Sequence, residues 1–281
     1  NSLYMINKCL FPAAGYGTRF LPATKAVPKE MLPIINKPLL QYGVEEALES
    51  GISNMAIVTG RGKRAIEDHF DNSVELEFQL SKTLKGHYLN EINKIIQDST
   101  FTYVRQKKIL GLGDAIHSGM PLIGEEPFAV ILADDLCITH SNNVISQMIE
   151  IYNKYECSVV AIEEVPLNQI KKYGIIAGQL LENSTDTYQV TKMIEKPKDN
   201  NAPSNMAIIG RYILTPDIFK ILENIQPDKN GEIQITDALN IQAKNGRVLA
   251  YKFKGKRFDC GSIEGYLAAT KYFAKKFKIN G

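Results

Sequence analysis

Four cysteines and four histidines are all that the 281-residue chain contains, and neither set is spaced for a metal. Cys9, Cys137, Cys157 and Cys260 are scattered with no CxxC pair, which excludes a zinc knuckle and a disulfide framework. Cys9 and Cys157 sit inside apolar runs and read as reduced core thiols, a usage that favours a cytoplasmic compartment. The histidines at 69, 87, 117 and 140 form no Ser/His/Asp or Cys/His arrangement, so no nucleophile for covalent catalysis is readable. No apolar stretch approaches the roughly 20 residues that span a bilayer. The first residues carry no signal-peptide pattern; Met5 reads as the natural start and residues 1–4 as a remnant ahead of it. Lys+Arg of 33 against Asp+Glu of 31 leaves a formal charge of +2, which excludes a net field able to draw nucleic acid or an anionic membrane. The lysines at 271, 275, 276 and 278 lack aromatic interleaving and read as a solvated helix face. There is no internal repeat or low-complexity tract, and no hexapeptide repeat of the kind that builds an appended β-helix.

What is present is a globular chain, 44% hydrophobic and 23% charged, long enough to bury a full core. Short apolar runs at 9–11, 55–58, 101–104, 128–132 and 158–162, bounded by Gly, Pro, Asp or Asn, read as strands. Between them, 38–50 reads as a helix with Leu40, Val44, Ala47 and Leu48 on one face, Pro38 in its first turn and Gly51 as its stop. A second amphipathic helix spans 143–155, with Val144, Ile145, Met148, Ile151 and Tyr152 apolar. This alternation predicts a Rossmann-like α/β fold: a mostly parallel central sheet with helices on both faces. After Glu163 the strands 173–177, 188–194 and 206–212 are separated only by loops, which predicts a smaller mixed or antiparallel extension. Helices at 216–222 and about 233–243, a strand at 248–253 and a final helix at about 263–276 complete a single domain over 1–281.

The first strand delivers residues 12–19 to the carboxyl edge of the sheet, where open α/β sheets bind ligands. Small residues at Ala13, Ala14, Gly15 and Gly17 let backbone N–H groups approach a phosphate or a base. Arg19 supplies a planar donor fork and Lys29 a mobile point charge. Two familiar explanations fail. A P-loop needs GxxxxGK[ST], and no Lys-Ser or Lys-Thr follows this glycine pair; a dinucleotide fingerprint needs glycine at 20, which is Phe20.

Gly15-Tyr16-Gly17-Thr18-Arg19, followed by Pro22, Thr24, Pro28 and Lys29, closely resembles the signature of the nucleotidyltransferases that make nucleoside-diphosphate sugars. Pro28-Lys29-Glu30-Met31-Leu32-Pro33, Val104-Arg105-Gln106, Gly111-Leu112-Gly113, Tyr173-Gly174, Glu195-Lys196-Pro197, Gly210-Arg211-Tyr212 and Asp259-Cys260-Gly261 are similar to the bacterial UTP–glucose-1-phosphate uridylyltransferase branch. The match runs from Cys9 to about Tyr266 in the family's order. It departs at Leu110 and Asp114, where the family shows Lys and His. The resemblance implies transfer of a uridylyl group from UTP to glucose 1-phosphate, giving UDP-glucose and pyrophosphate with Mg²⁺. It implies catalytic roles for Arg19, Lys29, Asp134 and Lys196, and nucleotide contacts from Ala13, Ala14, Gly15, Gly17, Thr18, Glu30, Gln106 and Gly111. Gly174, Glu195 and Lys196 would hold the sugar phosphate, and Asp134 the metal, with Asp259 a second ligand or water holder. Residues 5–165 would form mainly the nucleotide half and 166–281 mainly the sugar-phosphate half, in a homo-oligomer, dimer or tetramer.

Each element also has a reading of its own. Asp134 and Asp135 follow an apolar strand, where hard oxygens suit Mg²⁺ and where an Asp pair is equally a common cap. Gln106 offers an amide that can accept from uracil N3–H and donate to O4, or is a solvated loop residue. Gly111-Leu112-Gly113 precede a helix whose N-terminus could face the nucleotide. Glu195 suits sugar hydroxyls and Lys196 a phosphate, the alternative being an exposed ion pair. The competing readings are a sister enzyme using dTTP or CTP and a catalytically silent sugar-nucleotide sensor. The sensor has no use for Arg19, Lys29, Asp134 and Lys196 together.

Overall fold

The computed structural model describes residues 5–83, 85–198 and 201–279; residues 1–4, read above as a remnant, lie outside it. The chain opens with β1 (Lys8–Pro12) and a short hairpin of β2 (Pro33–Ile34) and β3 (Lys37–Pro38). α1 (Leu39–Glu49), β4 (Asn54–Thr59), α2 (Arg64–His69), α3 (Val74–Ser81), α4 (Asn90–Asp98) and β5 (Thr100–Arg105) follow. Next come α5 (Gly111–Ser118), α6 (Met120–Ile123), β6 (Phe128–Ile131), β7 (Asp135–Thr139), α7 (Val144–Tyr155) and β8 (Ser158–Glu164). The later elements are β9 (Gly174–Leu180), β10 (Thr187–Glu195), β11 (Met206–Leu214), α8 (Asp217–Leu222), α9 (Ile235–Lys244), β12 (Val248–Lys252), β13 (Gly255–Asp259) and α10 (Ile263–Lys276).

Nine strands form one sheet in the order β5-β4-β1-β6-β11-β8-β12-β10-β9. β11 and β10 run against the rest, so seven of the nine strands share one direction; β5, β4, β1 and β6 form the parallel half that the alternation predicts, and beyond it the sheet is mixed. The late strands do not simply lie beside the parallel half, however. β9 and β10 form the far edge, whereas β11 enters the middle, antiparallel to both β6 and β8. Its sequence explains this: Ala207 through Leu214 is buried at every position, as a strand covered on both faces must be. β1 lies between β4 and β6, while the chain visits β4 and β5 before returning to β6. That reversal is a topological switch point, and it opens a crevice at the carboxyl ends of β1 and β6.

Side chains alternate across the sheet with period two. Cys9 and Phe11 face α1 and α7 through Leu40, Val44, Ile145 and Met148. Leu10 faces the opposite layer, with Ile116 of α5, Phe219 of α8 and Leu239 of α9. Through this core runs one buried ion pair. Arg211 of β11 donates Nη2 to Glu46 Oε2 of α1 at 2.7 Å, and its Nη1 reaches Gly210 O at 2.9 Å. A third apolar cluster, including Leu39, Leu136, Phe258 and Phe273, seats the β7–β13 ladder and α10 beside the first hairpin.

Candidate active site

The loop after β1 begins while still attached to the sheet: Ala13 N donates to Val58 O at 2.8 Å. Gly17 has φ of +64°, and a Cβ there would lie 3.0 Å from Lys29 Cβ, so glycine both permits the turn and lets the two arms of the loop touch. Thr24 Oγ1 donates to Gly17 O at 2.6 Å and fixes that closure. A cavity of about 240 Å³ opens at the switch point, lined by Ala14, Gly15, Lys29, Glu30, Gln106, Gly111 and Asp134. Seven expected site residues thus meet on one surface. Ala13 is buried beneath the loop, while Thr18 and Arg19 are exposed outside the cavity. Arg19 Nη1 points to Gly261 O at 3.4 Å, which brings it beside the carboxylates described next.

Lys29 Nζ donates to Asp134 Oδ2 at 2.6 Å. Burial raises the Asp134 carboxyl, but Lys29, its hydrogen bond and Arg19 more than offset this and hold it below the usual carboxylate range. The same carboxylate raises Lys29 above the usual ammonium value. Asp135 is occupied differently. Its Oδ1 accepts from Arg257 Nη1 at 2.7 Å and its Oδ2 from Gly210 N at 2.6 Å, so it clamps the loop to β13 and β11. Only Asp134 of the pair is left facing the cavity. The β7–β13 ladder pairs Asp135 with Asp259. A Cβ on Gly261 would lie 3.0 Å from Asp134 Oδ2 and 3.1 Å from Asp259 Oδ1, so any side chain there would enter the gap between the two carboxylates. Among the described residues no group of three or more His, Cys, Asp or Glu forms a metal cluster. A pair of carboxylates completed by substrate phosphates is the donor set that Mg²⁺ favours.

The wall of the cavity carries a second buried pair. Lys63 Nζ donates to Glu30 Oε2 at 2.8 Å, while Glu30 Oε1 is buried with no hydrogen-bond partner among the described residues. Burial raises the Glu30 carboxyl, with Lys63 acting against it. Gln106 is buried, and its Nε2 donates to Asp114 Oδ2 at 2.6 Å and to Gly111 O at 3.4 Å. In the structure this nitrogen is directed at Asp114 and Gly111, which leaves Oε1 as the amide atom without a side-chain or backbone bond to either. Gly111 starts α5 rather than preceding it, with φ of +91° that only glycine adopts easily.

The sugar-phosphate candidates lie at the end of β10. Thr236 Oγ1 donates to Glu195 Oε2 at 2.7 Å. Gly174 clears this contact, since a Cβ there would lie 3.0 Å from Thr236 Oγ1 and 3.1 Å from Glu195 Oε2. Lys196 has φ of +42°, a left-handed conformation unusual for lysine and a form of local strain that clusters at functional sites. Its N–H donates to Tyr173 O at 3.0 Å, and its side chain is 55% exposed, with Nζ 3.8 Å from Glu195 Oε1.

Residues 10–276 match the family described as Nucleotidyl transferase. The chain belongs to the nucleotidyl transferase family. It is 63% identical over 269 residues to UTP–glucose-1-phosphate uridylyltransferase from Pseudomonas aeruginosa, covering 95% of this chain and 96% of that one. A UDP-glucose pyrophosphorylase crystallised with UDP-glucose superposes with a TM-score of 0.89 at 59% identity, over 97% of this chain and 100% of the other. A UTP-bound UDP-glucose pyrophosphorylase from Acinetobacter baumannii gives 0.89 at 38% identity, over 97% and 94%.

Two residues beside this site, Lys63 and Arg257, carry no motif that marks them. Lys63 follows β4 at the same carboxyl edge, and its position after a strand was the available signal. Arg257 gives no such signal, because Gly255–Asp259 holds a single large apolar residue and its pattern predicts no strand. Its Nε donates to Glu163 Oε1 at 2.5 Å and its Nη2 to Tyr173 Oη at 3.0 Å, so it joins Asp135 to the segment that carries Gly174.

Proposed function

We infer that this chain transfers the uridylyl group of UTP to glucose 1-phosphate, forming UDP-glucose and releasing pyrophosphate. The observation that carries this reading is the switch-point cavity. It brings the Gly15 loop, Lys29, Gln106 and Asp134 together, with Glu195 and Lys196 linked to it through Tyr173 and Arg257. The relatives named for this reaction at high identity support it.

The nucleophile, a phosphate oxygen of glucose 1-phosphate, is already an anion and needs no base. The residues have two tasks: to align two polyanions for in-line attack on the α-phosphorus, and to balance the charge that develops. Gly15 and its neighbours offer backbone N–H groups to the nucleotide. Lys29 and Arg19 steady the triphosphate and the departing pyrophosphate, which requires Lys29 to exchange part of its Asp134 contact for phosphate. Lys196 orients the attacking phosphate, and Glu195 accepts hydrogen bonds from glucose hydroxyls. Asp134 and Asp259 would hold Mg²⁺, which when bound supplies Lewis-acid charge at the phosphates. Self-association as a dimer or tetramer belongs to the same reading and is checked by sedimentation of the purified chain.

Pyrophosphate release with glucose 1-phosphate and each of UTP, dTTP, CTP and ATP, with and without Mg²⁺, tests the proposal. Release that depends on UTP and Mg²⁺ is expected. No release with UTP, or equal rates with dTTP, would contradict it.

A further inference from the structure

We propose that Asp114 sets base selectivity by fixing which end of the Gln106 amide faces the nucleotide. The proposal rests on reading the cavity as a uridine nucleotide site. A glutamine amide carries two donors on nitrogen and two acceptor lone pairs on oxygen. Here the nitrogen donates to Asp114 Oδ2 at 2.6 Å and, at longer range, to Gly111 O at 3.4 Å. Both partners are acceptors. Turning the amide over would set its oxygen against a carboxylate and a carbonyl, so the nitrogen must face them. What Gln106 offers the cavity is an oxygen, an acceptor with no accompanying donor.

That face discriminates between pyrimidines. Uracil and thymine carry a hydrogen on N3 that can be donated to Oε1; cytosine presents a lone pair at the same place. A freely turning amide would serve either base. A fixed one pairs with uracil and leaves cytosine facing like against like, and a buried polar group left unpaired is what makes a site selective.

Asp114 is well seated for this task. It lies in the first turn of α5, where the positive end of the helix favours a carboxylate. The segment between the two residues is held at both ends. Gln106 N donates to Thr59 O at 2.9 Å, Gly113 N to Ile233 O at 2.9 Å and Ile233 N to Leu110 O at 2.7 Å. Asp114 does not line the cavity, so it acts through Gln106 and is a positioning residue. A carboxylate at this position offers acceptors only, so the group that meets it must be the amide nitrogen.

The test compares kcat/KM for UTP and CTP, at saturating glucose 1-phosphate, in wild type, Asp114→Ala, Asp114→Asn and Gln106→Leu. Asp114→Ala should lower the UTP-to-CTP ratio about tenfold, toward the floor set by Gln106→Leu, as expected when one charge-assisted hydrogen bond no longer orients the amide. Asp114→Asn preserves the shape and an acceptor and should lower the ratio by less. A merely structural role would reduce both triphosphates alike and leave the ratio unmoved; that result in both Asp114 variants would overturn the proposal. Equal use of UTP and CTP by the wild type would overturn it too. A wild type that uses neither would instead overturn the uridylyl reading on which it rests.

Discussion

The two ends of the site are built to different standards. At the nucleotide end, charged groups are matched within the protein: Lys29 with Asp134, Lys63 with Glu30, Arg257 with Asp135, and deeper still Arg211 with Glu46. At the sugar end Lys196 reaches into solvent with only a 3.8 Å approach to Glu195. Preformed polar groups cost no reorganisation when charge develops, which is what a reaction at an α-phosphorus needs. On the proposed reading, the open end leaves Lys196 free to meet a phosphate that the sugar substrate brings with it. Under the proposed function, this contrast means that the triphosphate half is preformed and the glucose 1-phosphate half is completed by its substrate.

The sharpest way to break this comparison is at Lys29. Lys29→Ala should lower kcat/KM about 10³-fold, the upper range for loss of one preorganised charge-stabilising group, measured by steady-state pyrophosphate release. Glu46→Gln tests the deeper support. It leaves Arg211 buried without its counter-charge and should lower unfolding free energy by about 3 kcal/mol, read from urea denaturation. Arg211 also contacts Gly210 O, and Gly210 N holds Asp135; activity should therefore fall further than stability alone explains. Lys196→Ala should raise the KM for glucose 1-phosphate about 30-fold, within the span of charge-assisted contacts to phosphate.

The smallest effect has the opposite sign. Burial raises the Glu195 carboxyl above its usual value, with the Thr236 hydrogen bond acting against it. A carboxyl raised by folding destabilises the native state at pH above its folded value, and the penalty fades as pH falls through that value. Glu195→Gln keeps an acceptor for Thr236 and removes the charge. Its melting temperature should exceed that of wild type by about 2 °C at pH 8, and the gap should close on acidification. Loss of glucose 1-phosphate turnover should accompany the gain. Such a pairing of stability gained with function lost is usual at binding sites.

Much of this arrangement was legible in the sequence, for a physical reason. The strands that carry the site are short, apolar and bounded by turn residues, so their carboxyl ends could be placed, and with them the Gly15 loop and the position of Asp134; the choice of Lys29, Gln106 and Asp134 over their ordinary readings rested on the resemblance. The helix over 263–276 was legible from its own pattern. What could not be read either lacked core contacts or depended on contacts between distant segments. α3 buries none of its residues and therefore left no periodic signal. β7 and β13 are short strands that exist through each other, and without them the Arg257 clamp could not be foreseen; that Asp134 and Asp259 share a site was implied by the resemblance alone, not by any pattern in the strands. The orientation of the Gln106 amide was equally out of reach. It depends on one carboxylate eight residues away that a helix start happens to place at 2.6 Å.

Calorimetric titration of UTP into wild type, Lys29→Ala and Lys196→Ala, with Mg²⁺ present and no sugar phosphate, tests the division between the two ends most directly. UTP affinity should fall at least tenfold in Lys29→Ala and stay within about twofold of wild type in Lys196→Ala. Collapse of UTP binding in Lys196→Ala, or full affinity in Lys29→Ala, would contradict it.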